Sequence, residues 1–221
     1  CTEDAAGADL YVTLEPCCHW GRTPPCTDAI LEHRIRRVFV GCLDPNPLVA
    51  GKGAQILRDA GIEVETGVCE AECREINEVF FHYITHKTPF VVLKYAMTLD
   101  GKIAAHTGDS RWVTGEAARR HVHETRNRLS GIMVGVGTVL ADDPLLTCRI
   151  DGGRNPVRIV CDSHARTPLG SQLVQTANEI PTYVAVTARS ERTAALEEKG
   201  VRILVCGETD GHVDLTDLMQ Q

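Results

Sequence analysis

Short apolar runs alternate with amphipathic stretches along the whole chain, which is the pattern of an α/β protein. In the first half, apolar runs over residues 37–43 and 62–68 predict buried strands, and periodic segments over 54–60 and 70–86 predict helices. Continuous apolar strands separated by helices are typical of mainly parallel sheets covered on both faces. The first half is also predicted to contain a strand over 8–14 and a short helix over 27–34.

A second series of the same kind begins after residues 87–89, where Lys-Thr-Pro interrupts the pattern. Proline lacks a backbone donor and disfavours helix in the residue before it. We therefore predict one domain over residues 1–88 and another over 89–221. In the second domain, strands are predicted over 90–95, 131–136, 157–161, 182–186 and 201–205, and helices over 116–129 and 191–199.

Composition and charge narrow the class of protein. The chain is 43% hydrophobic and 24% charged, which is the balance of a globular protein, and it has no apolar run of the roughly 18–20 residues that a membrane helix needs. Its net charge of −7 favours a small-molecule partner over nucleic acid, because enzymes of nucleic acids usually present a broad basic face. Ten cysteines without a secretion signal indicate reduced thiols and a cytoplasmic protein.

Both ends of the chain predict a fragment. The first residue is Cys1 rather than Met, and residues 214–221 have the pattern of a helix that is only beginning. We therefore interpret the sequence as a piece truncated at both ends.

The strongest chemical signal is the segment Thr-Leu-Glu-Pro-Cys-Cys-His-Trp-Gly-Arg-Thr-Pro-Pro-Cys over residues 13–26. Cys17 and Cys26 flank a proline-stiffened loop, and Cys26 stands at the start of a predicted helix, where exposed N–H groups lower the pKa of a thiol. Thiolates are zinc ligands, but two of them make only half of a tetrahedral site. Taken alone, the pair could equally be two neighbouring structural cysteines.

This cysteine spacing, together with the Asp-Pro-Asn-Pro-Leu-Val-Ala-Gly-Lys-Gly stretch over residues 44–53, resembles the diaminohydroxyphosphoribosylaminopyrimidine deaminase of riboflavin biosynthesis. The resemblance implies a cytidine-deaminase-like αβα domain in which Cys17, Cys26 and a histidine hold Zn²⁺. In such enzymes zinc activates a water for attack on the amine-bearing carbon, and a glutamate transfers the proton. The family places its His-x-Glu element before the first cysteine, which would put it upstream of Cys1. The fragment alone is therefore expected to be inactive as a deaminase.

Neighbouring residues of the loop are not expected to replace the missing ligands. The family pattern does not use a histidine at the position of His19, and Glu15 belongs to the strand end. Cys18 would point away from Cys17 and is interpreted as structural.

In the second half, three polar or glycine-containing segments follow predicted strands: residues 94–104, 108–115 and 135–147. Each has a simpler interpretation. Gly-x-Gly-Thr at 135–138 lacks the third glycine of the dinucleotide fingerprint and could be a tight turn. Arg126 could belong to a solvated helix face, Trp112 to a core and Asp142 to a turn, while His121 and His123 are both expected on an exposed face.

In this order, the three segments resemble the reductase fused behind the same deaminase, a C-terminally truncated dihydrofolate-reductase-like α/β domain. The resemblance implies an oxidoreductase that reduces the ribosyl group of an aminouracil phosphate with NADPH, after the hydrolase step. Lys94 emerges near this pocket as a possible catalytic residue. The implied NADPH contacts are Ala96, Trp112, Thr138, Asp142 and Ser163. The implied substrate contacts are Ser110, Arg126, Leu146 and Arg149.

Other functions stay open at this point. The chain could be a reductase only, with its deaminase half incomplete or serving as a structural zinc module. A cytidine or tRNA-adenosine deaminase joined to an unrelated domain is disfavoured by the long cysteine spacing and the acidic charge. The expected partner is a small-molecule pyrimidine ribosyl phosphate, with no nucleic acid and no membrane, and a homo-oligomer is left open.

Overall fold

The computed structural model describes residues 4–221 and divides the chain into two compact units, the first ending at Val92 and the second spanning Leu93–Gln221. The first unit contains a three-stranded parallel sheet of β1 (Asp9–Leu14), β2 (Arg37–Cys42) and β3 (Glu63–Thr66), in that order. Val12 pairs with Val40, and Val40 pairs with Thr66, which sets the register. The three predicted strands of this half are confirmed.

The described part of the first unit contains four helices, two of which bury apolar side chains against this sheet. The four helices are α1 (Cys26–Glu32), α2 (Lys52–Asp59), α3 (Glu70–Ile76) and α4 (Glu78–His86). Ile30 of α1 and Leu57 of α2 are buried with Val38 and Val40 of β2 in one apolar cluster. Burying side chains of this size stabilises a fold by about 1.5–3 kcal/mol each. Apolar runs in the sequence therefore indicate segments that are buried in the fold, such as β2.

The single helix predicted over residues 70–86 is wrong, because the helix breaks at Asn77. The side-chain amide of Asn77 donates to the Cys73 carbonyl oxygen at 2.8 Å, and its backbone N–H donates to the Arg74 carbonyl oxygen at 3.2 Å. Asparagine competes in this way for backbone groups that a continuous helix would use. The apolar periodicity continues through the break and therefore hides it.

The second unit contains a four-stranded parallel sheet. Its order is β4 (Gly131–Gly135), β5 (Val157–Cys161), β6 (Thr182–Val186) and β7 (Arg202–Val205). Val160, Val184 and Val186 are buried with Leu196 in the main core cluster. These strands confirm the predicted α/β class with mainly parallel sheets.

Helices and a hairpin complete the unit. The two longer helices, α5 (Glu116–Arg128) and α8 (Glu191–Glu197), lie where they were predicted, and a capping box of Ser190 and Thr193 begins α8. The further elements are α6 (Val136–Asp142), α7 (Gln172–Gln175), the hairpin β8 (Glu208–Thr209) and β9 (His212–Val213), and α9 (Leu215–Leu218).

Two local predictions for this half are wrong. Residues 90–95 form no strand, since within residues 4–221 they have no hydrogen-bonded strand beside them, and Val91, Leu93 and Tyr95 are exposed. The strand predicted to reach Val136 ends at Gly135, and α6 begins there instead. Glycine weakens helix propensity, so the glycine-rich sequence concealed α6. Among the described residues, no helix is both long and apolar enough to cross a bilayer.

Candidate functional site

The cysteine loop, defined as residues 13–26, leaves the end of β1 and closes on itself at the start of α1. The backbone N–H of Cys26 donates to the Cys17 Sγ at 3.3 Å, and the backbone N–H of Thr27 donates to the Cys17 carbonyl oxygen at 3.2 Å. Cys17 is half-buried and Cys26 is exposed. The fold therefore brings together the two thiols that the sequence singled out.

The expected lowering of the Cys26 pKa is wrong for the metal-free protein. A hydrogen bond with the Cys17 side chain raises the pKa of Cys26, and partial burial and the Cys17 charge act in the same direction. Helix α1 has only seven residues, and its field does not outweigh a second thiol close by. Two interacting thiols fit a shared soft cation such as Zn²⁺. Within residues 4–221, however, no group of three or more His, Cys, Asp or Glu side chains is arranged to hold a metal.

Glu15 organises the base of the cysteine loop, a role that the sequence reasoning missed. It is buried, and its carboxylate accepts backbone N–H groups from Asp44 at 3.2 Å, Gly51 at 2.9 Å and Ala54 at 3.0 Å. These donors belong to the Asp-Pro-Asn-Pro…Gly-Lys-Gly stretch over residues 44–53 and the start of α2. The carboxylate thus ties that stretch to the residue pair before Cys17.

Gly53 shows how closely the two segments approach. A Cβ atom at this position would lie 2.0 Å from the Pro16 carbonyl oxygen, so no other residue type fits without moving the backbone. In the cysteine loop, the buried Nδ1 of His19 has no hydrogen-bond partner among the described residues. Burial raises the pKa of the nearby Asp44, and the charge of His19 acts in the opposite direction.

The second unit contains an open cleft of about 780 Å³, which we name the cationic cleft. Its basic side chains come from one face of α5 and from the segment after α6. The guanidinium of Arg119 lies 4.4 Å from the centre of the Trp112 ring, a cation–π contact. Residues that line the cleft include Trp112, Glu116, Arg119, Arg120, His123 and Arg149.

Arg126 is on the same helix as the cleft residues Arg119 and His123, and it is not a solvated side chain. It is half-buried, and its Nη1 donates to the Thr147 carbonyl oxygen at 2.9 Å. Its buried Nε has no partner within the described part of the chain. Burial and the charge of Arg149 lower the pKa of Arg126. Two guanidinium groups held this close favour an anion as the occupant of the cleft.

The two histidines of α5 have different surroundings. His121 is exposed, as predicted, and lies near Glu124. The prediction that His123 is also exposed is wrong: it is half-buried, and its Nδ1 accepts the backbone N–H of Arg149 at 3.2 Å. Burial lowers the pKa of His123, and the charges of Arg126 and Arg149 lower it further.

A second cleft, of about 320 Å³, lies at the carboxyl ends of the adjacent strands β4 and β5. Gly135, Gly137 and Ser163 line it together with Arg166 and His212. The Ser163 Oγ accepts the backbone N–H of Val213 at 3.0 Å. In open parallel α/β sheets, ligands bind outside the carboxyl ends of the strands, so this cleft lies where a nucleotide is expected.

The other residues implied by the resemblance are more dispersed. Thr138 and Asp142 are exposed on α6, and Thr138 directly follows the cleft residue Gly137. Leu146 is buried in the core with a positive φ of 52°. Lys94 and Ser110 are exposed and Ala96 is half-buried, and none of these three lines either cleft.

Comparison with known proteins identifies the family. The model described as "RibD C-terminal domain" matches residues 89–221. The chain belongs to the RibD family. A second model, "Cytidine and deoxycytidylate deaminase zinc-binding region", matches residues 1–42, so the chain carries both regions in the predicted order.

Curated relatives that the chain matches are named riboflavin biosynthesis protein RibD. That of Actinobacillus pleuropneumoniae is 54% identical over 222 residues, covering 100% of this chain and 59% of the relative. That of Aquifex aeolicus is 52% identical over 204 residues, covering 92% and 57% respectively. The chain thus spans somewhat more than half the length of the RibD relatives it matches.

Solved RibD structures share the fold. A diaminohydroxyphosphoribosylaminopyrimidine deaminase/5-amino-6-(5-phosphoribosylamino)uracil reductase from Thermotoga maritima matches with a TM-score of 0.83 and 42% identity, covering 99% of this chain and 59% of that one. Acinetobacter baumannii RibD, form 1, matches with a TM-score of 0.83 and 40% identity, covering 98% and 59%. The predicted fold class, a deaminase-like region followed by a reductase domain, is confirmed.

Proposed function

We propose that this chain is part of a bifunctional enzyme of riboflavin biosynthesis. Residues 1–88 would contribute to a zinc-dependent deaminase of a diaminopyrimidinone ribosyl phosphate, and residues 89–221 to an NADPH-dependent reductase of the aminouracil product. The observation that carries the proposal is the continuous match to RibD relatives across both regions at up to 54% identity. Because the chain spans 59% of that relative, the activity is proposed for the whole protein.

In the deaminase half, Cys17 and Cys26 would supply two of the zinc ligands. This assignment is supported by the hydrogen bond from the Cys26 backbone N–H to the Cys17 Sγ, which closes the loop between the two cysteines. A zinc ion held there supplies Lewis acidity that activates water for hydrolytic deamination. Glu15 ties the backbone before Cys17 to Gly51 and to the start of α2.

In the reductase half, the cationic cleft would hold the phosphate end of the substrate. Arg149 lines the cleft, and Arg126 of α5 has a free Nε among the described residues. Guanidinium groups match phosphate oxygens in pairs, which suits a ribosyl phosphate. The further substrate contacts proposed from the family pattern are Ser110 and Leu146.

NADPH would bind along the carboxyl ends of β4 and β5. Gly135 and Gly137 let a ligand approach the backbone closely, and Ser163 lines the same cleft. When bound, NADPH supplies the hydride for reduction of the ribosyl group. Lys94 stays a proposed electrostatic partner for the substrate. The cofactor contacts proposed from the family pattern are Ala96, Trp112, Thr138, Asp142 and Ser163; of these, Ser163 lines this cleft, whereas Trp112 lines the cationic cleft.

The proposed partner is a small molecule, and we propose a cytoplasmic location. The nine cysteines among residues 4–221 are all free thiols, which is typical of proteins in a reducing compartment. A homo-oligomer is also proposed, and sedimentation of the whole protein tests it.

Mass spectrometry tests the reaction order. The whole protein that contains this chain is incubated with the diaminopyrimidinone ribosyl phosphate, with and without NADPH. We expect deamination in both samples and a further gain of two hydrogens only with NADPH. Reduction of a supplied aminouracil without any deamination would favour a reductase alone, and no change in either sample would refute the proposal.

Zinc content tests the ligands separately from activity. Cys17→Ser is expected to lower the zinc bound per chain, measured by elemental mass spectrometry. Cys18→Ser is the matched control, because its Sγ interacts with the Leu48 carbonyl oxygen at 3.7 Å instead. Equal zinc in the two variants would remove Cys17 from the site.

A further inference from the structure

We propose that His123 is a positioning residue: its imidazole accepts the Arg149 backbone N–H and thereby holds the Arg149 guanidinium ready for a phosphate in the cationic cleft. The inference rests on the proposed function, because the phosphate comes from the proposed substrate. The inference adds His123 to the proposed phosphate site. It is based on the 3.2 Å hydrogen bond from the Arg149 backbone N–H to the His123 Nδ1.

The segment on the N-terminal side of Arg149 is tied to the same helix. Arg126 donates to the Thr147 carbonyl oxygen at 2.9 Å, and the Cys148 Sγ donates to the His123 carbonyl oxygen at 3.4 Å. The His123 side chain is therefore the third of three successive contacts between α5 and residues 147–149. It is the contact that reaches the backbone of the cleft arginine itself.

The chemistry of this contact fixes the state of the imidazole. A backbone N–H can only donate, so Nδ1 must offer a lone pair and the proton of the neutral ring lies on Nε2. Burial and the charges of Arg126 and Arg149 lower the pKa of His123 and so favour this neutral form, although a hydrogen bond with the Thr147 backbone acts in the opposite direction. His123 therefore orients a cationic residue without adding a further positive charge of its own.

The orientation of the Arg149 guanidinium matters because the cationic cleft is proposed to bind a phosphate. Arg149, Arg119 and Arg120 bring basic groups to one cavity whose wall also includes the flat face of Trp112. A guanidinium binds phosphate well only when its planar fork faces the oxygens. A displaced Arg149 backbone would turn that fork away even though the charge remained nearby.

The probe is ribose 5-phosphate, titrated into the 221-residue chain. The chain has two tryptophans, so a Trp20→Phe background leaves Trp112 in the cleft as the fluorescent reporter. In this background we compare His123→Ala, His123→Asn, His121→Ala and Arg149→Ala. An asparagine side chain can place its amide oxygen near the position of Nδ1, and it does so without titrating.

We expect His123→Ala to raise the Kd for ribose 5-phosphate about tenfold, the effect expected when a displaced Arg149 guanidinium loses one charge-assisted hydrogen bond to the phosphate. His123→Asn is expected to stay within about twofold of the native value, since it restores the acceptor. His121→Ala, at an exposed position on the same helix, should leave the Kd unchanged. Recovery by asparagine separates an acceptor role from simple packing.

Three results would overturn the inference in distinguishable ways. If Arg149→Ala weakens binding but His123→Ala does not, His123 has no positioning role and the proposed phosphate site survives. If the native chain shows no saturable binding of ribose 5-phosphate, the phosphate site and the inference fail together. Equal weakening by alanine and asparagine at position 123 would also refute the acceptor role.

Discussion

The most demanding test of the second unit concerns Arg158, a charged side chain that is completely buried in β5. Its guanidinium donates to the carbonyl oxygens of Leu145 at 3.2 Å and Leu173 at 3.1 Å, and to the Thr182 hydroxyl at 3.0 Å. Further bonds reach Thr176 and Ile180. All these acceptors are uncharged oxygens, so the charge is solvated by dipoles rather than by a carboxylate.

Arg158→Met removes the donors and the charge together. Leaving the carbonyls of Leu145 and Leu173 without a donor costs about 1–3 kcal/mol each. Removing a buried charge that donates no hydrogen bond to a carboxylate offsets part of this cost. Methionine is flexible and of similar length, so it fills much of the space. We therefore expect the free energy of unfolding to fall by about 3 kcal/mol.

Arg158→Lys, the substitution that looks conservative, is expected to be worse by about 2 kcal/mol at pH 7. Lysine has three N–H donors instead of five, yet it keeps a charge that must be desolvated. Burial would depress the pKa of the new lysine in the folded state. The unfolded state then binds more protons, so the stability of this variant should rise as the pH rises toward about 10.4, the ordinary lysine value.

Urea unfolding read by pulsed hydrogen exchange and mass spectrometry measures these differences in peptides from the four-stranded sheet. Arg189→Met is the control, because Arg189 forms an exposed ion pair with Glu197 that should contribute less than about 1 kcal/mol. A lysine variant at position 158 that matches the native midpoint and exceeds the methionine variant would refute this account of the buried guanidinium.

Two further predictions concern the first unit. The carboxylate of Asp9 accepts hydrogen bonds from Arg37, which are the largest cause that lowers its pKa from 3.8 to about 2. The stabilisation that Asp9→Asn removes should therefore be constant above about pH 4 and disappear as the pH falls toward 2, as measured by urea titrations. Glu15→Gln places an amide against one of three backbone N–H groups and should lower the stability of this unit by about 1–3 kcal/mol in the same assay, whereas a neutral effect would show that Glu15 is not the clamp we describe.

The elements that the sequence predicted correctly are those in which burial and periodicity agree. The apolar runs of β2 and β5 are both flanked by strands in register; every second residue of β5 is buried, and β2 is continuously buried over its last three residues. The sequence did not predict helix α6, because a glycine lies between its two buried valines, Val136 and Val139, and indicated a turn.

The site was predicted unevenly for a similar reason. The pairing of Cys17 with Cys26 followed from a contiguous motif, since the loop between them is short and stiff. Glu15 was undervalued, because its three backbone partners lie 29–39 residues away and only the folded chain brings them to its carboxylate. Every residue except proline has a backbone N–H group, so long-range hydrogen bonds to such groups produce no recognisable pattern of side chains in the sequence.

His123 is different, because a local rule could have found it. On a helix with 3.6 residues per turn, positions 121 and 123 lie about 200° apart, so both cannot occupy the same face. Positions 123 and 126 lie three residues apart and are neighbours on the surface. A helix that turns Arg126 inward therefore turns His123 inward as well and leaves His121 exposed, which is what the structure has.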